Sequence, residues 1–181
     1  MASDAQDGPA DLPRTVFLDA NFIVSVLFDG SLDHKPAREL FTRLVAGVWG
    51  RAVRLFVTPL VVSEAWWALG RLFYEERHGP GSWKALARRR PGRRQALRTY
   101  ASEIVAKTEL LVRAGIVSVA EVGVGDVPVA VRHTVGQEVP HLDPRDAFHL
   151  AVMKRLGIEA IVTNDPDFAE APDIIAIPYS P

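Results

Sequence analysis

The 181-residue chain contains no cysteine. That excludes a disulfide framework and any thiolate metal site, and it suits a reducing compartment. No apolar run approaches the ~18–20 residues of a membrane span. The opening stretch, MASDAQDGPADLPR, lacks the basic start and apolar centre of a signal peptide. A soluble, cytoplasmic protein is therefore expected. Charge is not in excess either: 21 Lys+Arg against 22 Asp+Glu leave a formal −1. Any contact with nucleic acid must then use a local patch and not the whole surface. The chain shows neither an internal repeat nor a low-complexity segment.

What is present is enough apolar material, 48% of residues, for one substantial core. Residues 1–13 read as a flexible leader and 14–181 as a single domain. The run TVFL, closed by Asp19, fits a buried strand of a parallel sheet, with a short helix after it. HKPARELFTRLVAGVWG carries helical spacing, and VRLFVT a second strand. Thr58-Pro59 offers an N-cap and a proline at the first helical position, opening a long helix over PLVVSEAWWALGRLFYEERH. Residues from about 74 to 110 read as a helical excursion with an arginine-rich tip. IVSVAEV, IEAIVTND and DIIAIP supply three more strands. VPVAVRHTVGQE and DPRDAFHLAVMKRLG supply two more helices. Strands alternating with helices predict an α/β fold with a mainly parallel sheet of about five strands.

In such a sheet, ligands bind beyond the carboxyl ends of the strands. Asp19 ends the first strand, Asp165 and Asp167 follow the fourth, and Asp143 and Asp146 open the helix before it. Each has an ordinary structural role open to it. Asp19 and Asp143 can cap helices, Asp146 can complement a helix N-terminus, and Asp165 and Asp167 can form a turn around Pro166. Glu64 is less easily explained. It shares an apolar helix face with Leu60, Val61, Trp67 and Ala68, where a carboxylate needs either an arginine partner or a cation. Carboxylates converging without cysteine or a histidine pair suit a hard cation, Mg²⁺ or Mn²⁺. Such a cation is sufficient for phosphodiester hydrolysis without a covalent nucleophile.

Four blocks carry a resemblance to a known family: the strand ending Asp19-Ala20-Asn21, then Ser63-Glu64, then Arg145-Asp146-Ala147-Phe148-His149-Leu150-Ala151, then Ile161-Val162-Thr163-Asn164-Asp165-Pro166-Asp167-Phe168. In this order they resemble the PIN domain, and in particular VapC-type ribonuclease toxins of bacterial toxin–antitoxin pairs, over about residues 15–178. The resemblance implies a three-layer α/β/α fold and a Mg²⁺- or Mn²⁺-dependent endoribonuclease. It implies Asp19, Glu64, Asp146 and Asp165 as the catalytic acids and metal ligands, with Asp167 as a further candidate ligand. Asn21 and Thr163 would orient the carboxylates or a water. An RNA substrate, a small antitoxin protein and a homodimer are implied as partners. The chain departs from the compact toxins by its added length around 74–110, and Asp143, one turn before Asp146, reads as a helix cap.

Outside those blocks, Arg88, Arg89, Arg90, Arg93 and Arg94 form the densest basic cluster. They are either a solvated loop tip or an arm for RNA phosphates. His149 reads as packed, and Trp66 and Trp67 as core or interface residues. Two other functions compete. A covalent aspartate phosphatase needs a second aspartate two residues after the first, where this chain has Asn21. A metal-free RNA-binding or scaffolding module is opposed by the presence of all four acids.

Overall fold

A computed structural model describes residues 12–86, 92–135, 142–171 and 173–180. Its centre is β1 (Thr15–Leu18), all four residues of which are buried. Strands β2 (Arg54–Val57), β3 (Val117–Val119), β4 (Ala160–Val162) and β5 (Ile175–Ile177) complete one sheet in the order β3-β2-β1-β4-β5. All four pairings are parallel. An apolar run without alternation is what a strand covered on both faces requires, and β1 and β4 both have it. Helices flank this sheet as expected. The third and fourth strands are shorter than their apolar runs: IVSVAEV pairs over three residues and IEAIVTND over three.

The helices are α1 (Ala20–Leu27), α2 (His34–Trp49), α3 (Pro59–His78), α4 (Ser82–Leu86), α5 (Gly92–Arg113), α6 (Asp126–Val135) and α7 (Pro144–Leu156). A 3-10 turn spans Pro166–Glu170. Local chemistry sets several of their ends. The Thr58 hydroxyl accepts the Val61 N–H at 3.3 Å, with Pro59 at the first helical position of α3. Asp143 accepts from the N–H groups of Arg145 and Asp146 at 2.7 and 3.2 Å, with Pro144 opening α7. That helix closes on Gly157 at φ 62°, a left-handed cap that costs glycine little.

The main core joins β1, β2 and β4 to α1, α3 and α7 through Phe17, Phe22, Leu55, Leu69, Leu150 and Ile161. Burial of side chains this size is worth about 1.5–3 kcal/mol each. Alpha-7 is buried nearly all round, because Leu150 and Met153 face this core while Ala147 and Ala151 meet Ala130 of α6. The expected helical excursion is α3, α4 and α5. On α3, Gly70 has no side chain where Leu97 of α5 closes over it, so the two helices approach tightly. Of the expected leader, residues 1–11 lie outside the described residues, and Leu12 packs against the core. Among the described residues no helix is long and apolar enough to cross a membrane.

Candidate active site

The chain turns from one half of the sheet to the other at β1, which pairs with β2 on one side and β4 on the other. Register puts Leu18 beside Val162, so Asp19 and Thr163 leave the sheet side by side at its carboxyl edge. The Asp19 N–H donates to the Val162 carbonyl at 3.2 Å, which fixes the first residue beyond the strand. The Thr163 hydroxyl donates to Asp19 Oδ2 at 2.8 Å. The same hydroxyl oxygen accepts the Asp165 N–H at 2.9 Å. One threonine thus ties two acids together.

Each acid also keeps the ordinary role its sequence offered. Asp19 Oδ1 accepts the Ala20 N–H at 2.6 Å and caps α1. Asp165 Oδ1 accepts the Asp167 N–H at 3.0 Å and caps the 3-10 turn. A carboxylate has about four lone-pair directions, so one bond per oxygen leaves each acid with capacity to spare. Capping and ligation are compatible here.

Asp19, Glu64, Asp146 and Asp165 all line one cleft of about 890 Å³. Asn21 and the cap Asp143 also border it. Asp167 is not among its lining residues. Burial pushes the Asp19 carboxyl up from its ordinary range, against the lowering effect of the Thr163 and Ala20 hydrogen bonds. Burial, with the neighbouring Asp143, Asp19 and Asp165 charges, pushes the Asp146 carboxyl up to about 7. At both acids burial is the leading cause, so water solvates them poorly.

Glu64 differs from its sequence reading in two respects. Its helix face is apolar but is not the core face. Val61, Ala65, Leu69 and Phe73 are buried, whereas Leu60, Glu64, Trp67 and Ala68 border the cleft. Glu64 also has the arginine partner that sequence left open. Arg145 Nη1 stands 3.2 Å from Glu64 Oε1. That contact is one of charge and not an aligned hydrogen bond, since Glu64 Oε1 is buried and makes none. Behind it, His149 Nε2 lies 3.8 Å from Glu64 Oε2. His149 is fully buried against Phe17, and its Nδ1 lies 3.3 Å from the Thr58 hydroxyl.

Among the described residues, no three acids or histidines come close enough as they stand to enclose an ion. Glu64 faces Arg145 and His149, and Asp165 caps the 3-10 turn. The donor set nevertheless fits a hard divalent cation. It is all oxygen, two of its members are acids that burial makes reluctant to ionise, and one buried oxygen of Glu64 has no hydrogen bond.

The cleft lining from α3 and α5 mixes basic and aromatic side chains with apolar ones such as Leu97, Ala101 and Val105. Arg71 of α3 and Arg94 and Arg98 of α5 belong to it, as do Trp66 and Trp67. Both tryptophans are roughly half-exposed, at 42% and 45%, and so are cleft residues, not core. Of the arginine cluster, Arg88, Arg89 and Arg90 lie outside the described residues. Arg93 is spent internally, over the Trp67 and Trp83 rings at 5.9 and 5.6 Å. Arg71 and Arg98 were not legible as candidates from composition. Yet Arg71 stands two helical turns past Glu64 and Arg98 one turn past Arg94, spacings that share a face. A second groove of about 440 Å³ adjoins the first, and Asn21, Arg71 and Asp165 border both.

Comparison with known proteins places the fold. A family model for the PIN domain matches residues 16–174. Among solved structures, the chain is similar to Mycobacterium tuberculosis VapC20, described as a toxin cleaving the sarcin–ricin loop. The TM-score is 0.58 and the identity 21%, over 88% of this chain and 96% of that one. It is also similar to VapBC2 from Rickettsia felis, solved bound to a DNA fragment from their promoter. There the TM-score is 0.55 and the identity 10%, over 90% of this chain and 97% of the other. At these identities the likeness is one of fold. No curated protein matches the chain.

Proposed function

The chain belongs to the PIN domain family, and from that premise we propose that it is a divalent-cation-dependent endoribonuclease, the toxin of a toxin–antitoxin pair. The observation that carries this reading is one cleft lined both by the acids Asp19, Glu64, Asp146 and Asp165 and by the basic Arg71, Arg94 and Arg98. The similar fold of a toxin described as cleaving the sarcin–ricin loop adds support.

Asp19, Glu64, Asp146 and Asp165 would hold Mg²⁺ or Mn²⁺. When bound, such an ion would neutralise charge at a phosphodiester and activate water for attack. The chain's own residues do the rest. Thr163 orients Asp19 and, through its accepted N–H, the position of Asp165. Arg145 brings a guanidinium between Asp143 and Glu64, within the cleft. Arg71, Arg94 and Arg98, which enter no ion pair among the described residues, would neutralise the substrate backbone. A small antitoxin protein and a second copy of the chain are proposed as partners.

Incubation of the purified protein with RNA and Mn²⁺ tests the reaction. Cleavage is expected, stopping on addition of EDTA, and Asp19→Asn should abolish it while circular dichroism stays unchanged. Full cleavage by that variant sinks the proposal. Expression without the neighbouring gene should arrest growth, and normal growth would count against the toxin role.

A further inference from the structure

The cleft is larger than the acids require, and its α3–α5 wall has a composition they do not explain. Trp66 and Trp67 line it and are 42% and 45% exposed, Trp66 also bordering a second, apolar pocket with Val62, Thr108 and Val112. A water-exposed indole is normally tolerated where its N–H needs solvent, but Trp66 has already given its N–H to the Thr108 hydroxyl at 2.9 Å. Trp67 is braced edge-on by Trp83, at 5.3 Å between rings, with the Arg93 guanidinium over both. Both residues bring ring surface to the cleft lining, Trp66 fixed by its Thr108 bond and Trp67 by its contact with Trp83. Beside it stand Arg71, Arg94 and Arg98, none of which enters an ion pair among the described residues. Arg94 and Arg98 are one turn apart on α5, about 6 Å along its axis.

We propose that the α3–α5 wall of the cleft is a binding site for an unpaired RNA strand, with bases stacking on Trp66 and Trp67 and phosphates meeting Arg71, Arg94 and Arg98. The assignment rests on the ribonuclease reading for its ligand class. Stacking surfaces interleaved with unpaired cations are the means by which single strands are held without sequence readout. A paired helix buries its base faces and would leave the indoles unused. A second groove shares Asn21, Arg71 and Asp165 with the cleft, so a strand extending from the wall past the acids would meet its lining. An acidic peptide would answer the arginines but has no need of a route past Asp19 and Asp146.

The test uses the full-length Asp19→Asn protein in EDTA, so that binding is read without cleavage. The probe is a fluorescein-labelled oligoadenylate of about twelve nucleotides, followed by anisotropy. Trp67→Ala should weaken binding about tenfold, and Trp67→Phe should restore most of it. Replacing Arg94 and Arg98 together by Gln should reduce the slope of log affinity against log salt by about 1.4, or 0.7 per lost phosphate contact. Unchanged affinity and salt slope in these variants overturns the proposal. So does a duplex RNA of the same length that binds as tightly as the oligoadenylate, or an oligoglutamate that binds where the oligoadenylate does not. Failure of the underlying reading looks different. A native protein that binds RNA through Trp67 but leaves it intact in Mn²⁺ keeps the strand site and loses the ribonuclease.

Discussion

Arg145 places Nη1 3.2 Å from Glu64 Oε1 and Nη2 3.0 Å from Asp143 Oδ2, so one guanidinium bridges two acids of the cleft. A cation bound by Glu64 competes with that contact. The Arg145 side chain is 64% exposed, and an exposed pair is worth only about 0.2–1 kcal/mol. Arg145→Gln should therefore tighten Mn²⁺ binding by roughly 1.5- to fivefold, measured by titration calorimetry. Weaker binding in that variant would mean that Arg145 supports the acids instead of opposing the ion.

Thr163 is the joint between β4 and the acids, donating to Asp19 and accepting from the Asp165 N–H. Thr163→Val keeps the shape but removes both bonds. Losses of this kind behind a metal ligand cost about 10–100-fold in metal affinity or activity. Thr163→Ser should recover most of that loss in cleavage assays. Equal activity of the valine and serine variants would show that the hydroxyl does not matter.

Asp146 is crowded by acids, with Asp143, Asp19 and Asp165 all adding to the effect of its burial. Without a cation, such crowding detracts from stability, a common feature of functional sites. Asp146→Asn should thus raise the melting temperature of the EDTA-treated protein. A gain on the order of 1 kcal/mol corresponds to roughly 2–4 °C at this chain length. The same variant should lose cleavage. A lowered melting temperature would indicate that Asp146 is needed structurally, beyond its place in the site.

What was legible in the sequence was whatever short-range chemistry decides. Thr58-Pro59 and Asp143-Pro144 announce helix starts because a cap needs only its own next residues, and both form as read. Beta-1 and β4 show as apolar runs because a parallel strand is covered on both faces. Glu64 shows where that reasoning ends. Spacing placed it on an apolar face, but whether that face meets the core or a cleft depends on where α5 packs. That packing turns on a contact between Gly70 and Leu97, distant in sequence. Its partner Arg145 comes from another helix and was equally out of reach. Trp66 and Trp67 were read as core or interface for the same reason.

Far from the cleft, Arg155 donates from Nε to Asp126 Oδ1 at 2.7 Å and from Nη2 to Asp126 Oδ2 at 3.1 Å. The pair joins α6 to α7, the helix that carries Asp146 and His149. The Asp126 carboxylate is almost wholly buried, and its Oδ2 also accepts the Gly123 N–H at 2.7 Å. Hydrogen bonding from Arg155 holds the Asp126 carboxyl below its ordinary range, outweighing its burial. A carboxyl lowered by folding stabilises the fold above its unfolded value, about 3.9. That contribution is lost as the pH falls through the lower folded value. Arg155→Met should therefore cost about 1–3 kcal/mol near neutral pH, read from urea melts. The gap between variant and parent should narrow as melts are repeated below pH ~4. A gap that stays constant down to pH ~2 would mean that the arginine acts through packing of its stem and not through the charge on Asp126.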